Sequence, residues 1–471
     1  MTSAPQPPYR PETAILGLGD GFYDPVEPAR FPQTILRFRN QRWASRVGLG
    51  DLDDAAWLAH FGRFEPLPGS LPQPLALRYH GHQFRAYNPD IGDGRGFLFA
   101  QLREAGGGGG GRSRLLDLGT KGSGQTPWSR FGDGRLTLKG GVREVLATEM
   151  LEALGADTSK SFSLIETGES LERHDEPSPT RGAVLVRLSH GHIRIGSFQR
   201  LATIGDADGL RRLTNYCLAN LLDDRPGNED AAARLLDHVV QGTARLAASY
   251  MAAGFVHGVL NSDNINITAE SFDYGPWRFA PTMDPSFTAA YFDHRGLYAY
   301  GRQAQAIHWD VVQLALALRT IAEADALAPA MDRFPEQYEE ALIAALLGRL
   351  GVRRRAAVED LALVGAIEQA LAPGSVGIDR FFFDWRGGRR RGPSPADDDY
   401  AEPAFEAFVA QIRAYAPAAS TAHPYWSDPE PCAMLIDEME AIWAPIAAAD
   451  DWSAFHAKID AIRRMGAAMV D

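Results

Sequence analysis

HGVLNSDNINITAESFDYG, residues 257–275, sets an amide, Asn264, nine residues before a carboxylate, Asp273. Both side chains offer hard oxygen donors of the kind that hold Mg²⁺, a cation that keeps several waters and takes further ligands from phosphates. Either half alone reads as a polar turn. Together, and placed just after a long helical segment ending at Ala253-Gly254, they mark a metal and phosphate site. Asp263 stands beside Asn264, a second carboxylate within a side chain's reach of the same phosphates and suited to accept a hydroxyl proton.

The spacing follows the H-x-D-x-x-x-x-N and D-[FY]-G signatures of protein kinases, except that Val259 occupies the position of the catalytic aspartate, five residues before Asn264. The carboxylate is displaced by four residues to Asp263, and a displaced base predicts attack at a different phosphate. A kinase-like site also needs a strand lysine paired with a helical glutamate. Lys121 ends the apolar run RLLDLGTK, and Glu144 lies early in the amphipathic stretch 141–154, where the helix dipole favours an acid.

Gly92, Gly94 and Arg95, in GDGRG before a strand, let backbone amides and a guanidinium approach phosphate. Gly132-Asp133-Gly134-Arg135 makes a second glycine-rich loop after Lys121, in which Asp133 is placed to orient Lys121 or an arginine. Arg187 in AVLVRLS and Arg194 in HIRIGSF read as members of two strands joined at Ser189-His190-Gly191. Such a hairpin would bring both guanidiniums to one side, where they favour a polyphosphate or a carboxylate; without it they are ordinary snorkelling arginines. His190 and His192 form an H-x-H pair that lacks an evident third metal ligand.

Short β-like runs at 96–102, 114–121, 183–189 and 192–198, interrupted by the helix 141–154, fill the chain from about residue 74 to 198. Apolar-periodic segments at 229–253, with Asn228 as its N-cap, 307–322 and 336–350 follow. The pattern predicts an α+β fold of two lobes: a sheet-rich, nucleotide-binding N-lobe at 74–200 and a helical C-lobe at 201–471 that carries loop 257–275. A Pro-rich extension, 1–73, with a helix over 34–49, is expected to pack on this core. The six glycines at 106–111 predict a flexible hairpin tip, and the basic-then-acidic stretch 386–399 a solvated loop.

With 471 residues, 45% hydrophobic and 23% charged, the chain has an ordinary globular composition. Its net charge of -13 leaves no overall electrostatic footprint for nucleic acid and favours basic proteins or metal-bound nucleotides as partners. Two cysteines, Cys217 and Cys432, exclude a disulfide framework and a C-x-x-C metal site. No basic segment leads into an apolar leader and no apolar run approaches a membrane span, so a cytoplasmic protein without membrane attachment is expected.

YHGHQFRAYNPDIGDGRG, DLGTKGSGQTPWSRFGDGR, VREVLATEMLEALG, SHGHIRIGSF and FVHGVLNSDNINI…FDYGP, in that order, resemble the selenoprotein O family of pseudokinase-fold protein adenylyltransferases, densely from about residue 74 to 310. The resemblance implies a two-lobed protein-kinase-like fold that binds ATP inverted relative to kinases. It implies transfer of AMP to Ser, Thr or Tyr hydroxyls of proteins, the chain itself included, with release of pyrophosphate and with Mg²⁺ or Mn²⁺ as cofactor. Residue by residue, it implies nucleotide contacts at Gly92, Gly94, Arg95, Asp133 and Gly134, and a phosphate-binding Lys121 with Glu144 as its ion-pair partner. It further implies that Arg187 and Arg194 hold the triphosphate, that Asp263 accepts the proton, and that Asn264 and Asp273 ligate the metal, Asp273 also contacting ATP.

Two departures stand out. His80 and Arg85 replace small residues where the family usually reads G-G-H-Q-F-G, which bears on the local turn and on nucleotide access. No cysteine follows Cys432, so thiol regulation through the tail is not expected. An atypical kinase and a non-catalytic ATP-sensing scaffold are the alternative readings.

Overall fold

The computed structural model describes residues 8–104, 113–174, 176–227 and 229–470. The glycine run 106–111 and the expected cap Asn228 lie outside the described residues. In the N-terminal half the strands are β1 (Pro11–Glu12), β2 (Tyr23–Pro25), β3 (Ile35–Arg39), β4 (Leu75–Leu77), β5 (Gly81–Gln83) and β6 (Ala86–Asn88). They continue with β7 (Leu98–Arg103), β8 (Leu115–Lys121), β9 (Leu136–Thr137), β10 (Lys160–Leu171) and β11 (Thr180–Ser189). One antiparallel sheet runs β2-β4-β7-β8-β11-β10-β3, with β1 beside β7 and β9 beside β11, while β5 and β6 form a separate hairpin.

Both faces of the sheet are covered, which is why β8 and β11 read as nearly continuous apolar runs rather than alternating ones. Leu164 and Leu185 point to one side, against Val142, Val145 and Leu146 of helix α3 (Leu138–Ala153). Val184, Val186 and Leu188 point to the other, where α1 (Gln41–Arg46) and α2 (Asp54–Gly62) pack Trp43, Trp57 and Phe61. Trp57 is fully buried, stacks on Phe162 at 5.0 Å and donates its indole N–H to Ser163 Oγ at 2.9 Å.

After β11 the chain is helical: α4 (Ile195–Thr203), α5 (Ala207–Asn220), α6 (Ala231–Ala253), α7 (Gln303–Leu318), and further helices up to Ser453–Val470. That last helix returns to brace α3. Arg463 makes a two-pronged pair with the buried Glu149, both contacts 2.8 Å, across 314 residues of sequence. No helix among the described residues is long and apolar enough to cross a membrane.

Three local expectations are corrected. Residues 34–49 are not one helix: ILRFR pairs with β10 as strand β3, and only then does Asn40, accepting from Trp43 N, cap the short α1. Residues 192–198 are not a strand. Ile195, Phe198 and Leu201 have helical spacing and open α4, and Gly196 there leaves room only for the His80 carbonyl, 2.1 Å from where a Cβ would stand. The charged stretch 386–399 is not wholly solvated, since Arg386 is buried and donates to the carbonyls of Gly348, Arg349 and Met469. Helix α6 is preceded by Asp230, which makes no side-chain cap.

Candidate active site

Lysine and glutamate meet as expected. All seven residues of β8 are buried, carrying Lys121 into the interior, and Thr137 caps α3 by accepting from Gly140 N, which fixes the turn that presents Glu144. Lys121 Nζ donates to Glu144 Oε2 at 2.5 Å and to the Tyr274 carbonyl at 2.9 Å. Burial pushes the lysine pKa down, and Glu144 opposes that shift.

The two arginines also converge, though not through a hairpin. Arg187 projects from β11, whereas Arg194 is the extended residue before α4, bridged through its backbone to Asn266 in the loop below. Each guanidinium donates to a different oxygen of Asp273. Arg194 Nη1 also reaches the Asp263 carbonyl at 2.8 Å, and its guanidinium lies over Tyr79 and Phe272 at 4.5 and 4.7 Å. Arg187 Nη1 lies 3.6 Å from Glu144 Oε1. Burial alone would raise the Asp273 pKa, but Arg187, Arg194 and Lys121 together hold it well below the ordinary carboxylate range. Asp273 has φ 59, a left-handed conformation that is uncommon for a side-chain-bearing residue.

Asp263 sits in a different setting, on the single turn Ser262–Asn264. The β5–β6 hairpin clamps this turn: His82 N donates to Ser262 Oγ at 2.7 Å, Phe84 N to Asn261 Oδ1 at 3.1 Å, and Gln83 Nε2 approaches Asp263 Oδ2 at 3.5 Å. Gly81 is required there, because a Cβ would lie 2.9 Å from Asp263 Cβ and Oδ1. Asp263 Oδ1 is buried without a hydrogen-bond partner, and desolvation pushes the carboxyl up to about 6. The hairpin escaped sequence analysis because its two turn residues, Phe84 and Arg85, adopt φ 49 and 64 without the glycine or asparagine that signals such turns. His80 bonds Tyr87 Oη at 2.6 Å, Arg85 lies over Trp309, and neither lines the cleft.

Gly92, Gly94, Arg95, Lys121, Asp133, Gly134, Arg187, Arg194, Asp263, Asn264 and Asp273 all line one cleft of about 800 Å³, and Glu144 lies behind Lys121. Gly92 answers to packing as well as to any ligand, since a Cβ would stand 2.5 Å from the Trp128 ring. Asp133 orients Arg173, at 2.8 Å, rather than Lys121. Asp93 was not singled out in the sequence; it accepts from Leu77 N at 3.0 Å and stands 3.4 Å from Arg194 Nη2, a part-buried carboxylate on the glycine loop.

Asn264 Nδ2 donates to the Val259 carbonyl at 2.8 Å, which leaves Oδ1 for a ligand. Together with the remaining lone pairs of Asp273, this all-oxygen pair fits a hard divalent cation, while the unpartnered Asp263 Oδ1 is left to take a proton. No group of three or more His, Cys, Asp or Glu among the described residues could hold a metal alone, the His190–His192 pair included. A cation here would therefore complete its shell with phosphate oxygens and water.

The family model described as protein adenylyltransferase SelO matches residues 8–463. The protein nucleotidyltransferase YdiU of Synechococcus elongatus is 46% identical over 380 residues, covering 80% of this chain and 75% of its own. Its namesake from Gloeobacter violaceus is 42% identical over 467 residues, 96% and 95% of the two chains, and that of Aeromonas salmonicida 35% over 360 residues, 76% and 72%.

Proposed function

This chain belongs to the protein adenylyltransferase SelO family and is a nucleotidyltransferase, and from that premise we propose how its cleft works. ATP binds with its triphosphate inward. The carrying observation is the distribution of charge: Lys121, Arg187 and Arg194 are buried at the cleft floor, whereas Arg95 is exposed at its lip. Glu144, Asp273 and Asp93 balance the three charges, yet the Nε–H groups of Arg187 and Arg194 have no acceptor among them, which favours phosphate oxygens as added partners at the closed end. The α-phosphorus then lies outermost of the three phosphates, towards Asp263.

In this reading, residues 74–200 and 201–471 are the two lobes of a protein-kinase-like fold, residues 1–73 an extension whose strands β1, β2 and β3 join the sheet of the first lobe, and Lys121, Glu144 and loop 257–275 stand where a kinase holds its equivalents. Gly92, Gly94, Arg95, Asp133 and Gly134 contact the nucleotide. Asn264 and Asp273 would hold Mg²⁺ or Mn²⁺, which would neutralise phosphate charge when bound. Asp263 accepts the proton from a Ser, Thr or Tyr hydroxyl. That oxygen bonds to the α-phosphorus, the bond to the α,β-bridging oxygen breaks, and pyrophosphate leaves with Lys121, Arg187 and Arg194 compensating its charge. Hydroxyls of the chain itself are acceptors as well as those of other proteins.

Incubation with α-³²P-ATP or γ-³²P-ATP, followed by intact-mass spectrometry, tests this. Label retained from the α position and a gain of one AMP are expected. Label retained only from the γ position would make the protein a kinase, and ATP binding without any transfer would make it a scaffold.

A further inference from the structure

Beside Asp263 the surface carries aromatic side chains that pack on one another. Phe84, at the tip of the β5–β6 hairpin, is 38% exposed, Phe292 41% and Tyr291 80%. Ring contacts run from Tyr291 to Phe292 at 5.1 Å, from Phe292 to Phe84 at 5.8 Å, and from Phe84 to Tyr298 at 5.0 Å. Isolated exposed apolar residues need no explanation, but a contiguous patch does.

This patch is tied to the catalytic loop. Tyr298 Oη donates to Asn261 Oδ1 at 2.7 Å, the same oxygen that Phe84 N reaches, and Gln83, one residue before Phe84, approaches Asp263. The rim is basic. Arg85 and Arg295 are exposed; Arg85 lies over Trp309 and its charge acts on the buried Asp310, and neither arginine forms a salt bridge among the described residues, although the chain as a whole carries a net charge of -13.

We propose that this aromatic and basic surface docks the acceptor protein, as an extended segment with an apolar side chain next to the acceptor hydroxyl and a carboxylate nearby. The proposal rests on the adenylyltransferase reading of the cleft. The nucleotide fills the polar cleft, so an acceptor longer than one residue must cross its lip to bring a hydroxyl to Asp263. On the hairpin side the cleft is lined by Gln83, and the next residue, Phe84, leads outward through its ring contacts to Phe292 and Tyr291. Aromatic anchors with an arginine rim are the composition of binding hot spots, and unpaired guanidiniums complement an acidic flank.

Two sets of fluorescein-labelled peptides, each with one central Ser, Thr or Tyr, test this against the full chain held with α,β-methylene-ATP. One set has Leu and Glu flanks, the other Ala and Lys. Anisotropy is expected to show tighter binding of the Leu/Glu set. Tyr291→Ser/Phe292→Ser should weaken that binding by about tenfold or more, and Arg295→Glu should remove the preference for Glu. Tyr291→Ser alone, at a largely exposed residue, should move binding in the same direction with no risk to the core. Nucleotide-induced thermal shift should be unchanged in every variant. Equal binding of the two sets, or unchanged binding by the double variant, would overturn the proposal. So would a double variant that sediments as a smaller species than the parent, which would assign the patch to contacts between copies. Because binding is read directly, absence of AMP transfer to any acceptor would remove the cleft's assignment while leaving the docking result intact.

Discussion

Two carboxylates ten residues apart in one loop have opposite surroundings. Asp273 has an arginine on each oxygen and a lysine nearby, and it stays ionised in the interior. Asp263 has a buried oxygen with no partner and is pushed towards neutrality. A saturated carboxylate is a fixture that organises cations, whereas an undersatisfied one is poised to take a proton. On the proposed mechanism, the cleft floor binds the nucleotide and the Asp263 turn carries the chemistry.

The largest expected effect comes from removing that second role. Asp263→Asn should lower AMP transfer by roughly 10²–10⁴-fold while ATP binding, followed by thermal shift, persists. The same variant should be more stable than the parent. The Asp263 pKa is raised in the folded state, so stability falls as pH rises from the ordinary carboxylate value through about 6 and stays lowered above it. Removing the charge should restore on the order of 1–3 kcal/mol at neutral pH, read by chemical denaturation. A less stable Asn variant would contradict the contrast between the two carboxylates.

Arg194→Ala attacks the other side. It strands a buried Asp273 oxygen, so a loss of about 3–5 kcal/mol in stability is expected, with ATP affinity falling in parallel. Arg194→Lys should rescue little, because a point charge cannot serve Asp273, the Asp263 carbonyl and two ring faces together.

A pH profile of transfer gives a milder test. Asp263 must be deprotonated to accept, so the rate should drop about tenfold per pH unit below its pKa, which lies near 6, and level off above it. Gln83→Ala should do least. Its amide favours the ionised carboxylate, so removing it should move that acid limb to slightly higher pH with only a small loss of rate.

The sequence foretold the floor better than the turn. Lys121 and Glu144, each commonplace alone, were legible from their order: a lysine ending an apolar strand, then a glutamate early in the one helix of the sheet-rich half, both ahead of loop 257–275. The arginines were paired correctly through an incorrect intermediate, since HIRIG alternates like a strand while Ile195, Phe198 and Leu201 also satisfy a helical period. Short runs carry both periods, and the Asn266 bridge and the His80 carbonyl decide between them. The hairpin over Asp263 was illegible for another reason: it is held by contacts of His82 to Ser262 and of the left-handed Phe84 to Asn261, some 180 residues away. Likewise β3 owes its extended form to β10, not to its own propensities.

The brace between Arg463 and Glu149 has a consequence for biosynthesis. The two residues are 314 positions apart, so at ordinary translation speeds of roughly 5–20 residues per second Glu149 leaves the ribosome on the order of half a minute before its partner exists. The sheet-rich half must wait through that interval with a core carboxylate that lacks its two-pronged arginine. A ribosome stalled near residue 450 should accordingly hold a chain whose α3 is already seated on the sheet, with Asn40 and Arg42 as the partners of Glu149 until Arg463 is delivered.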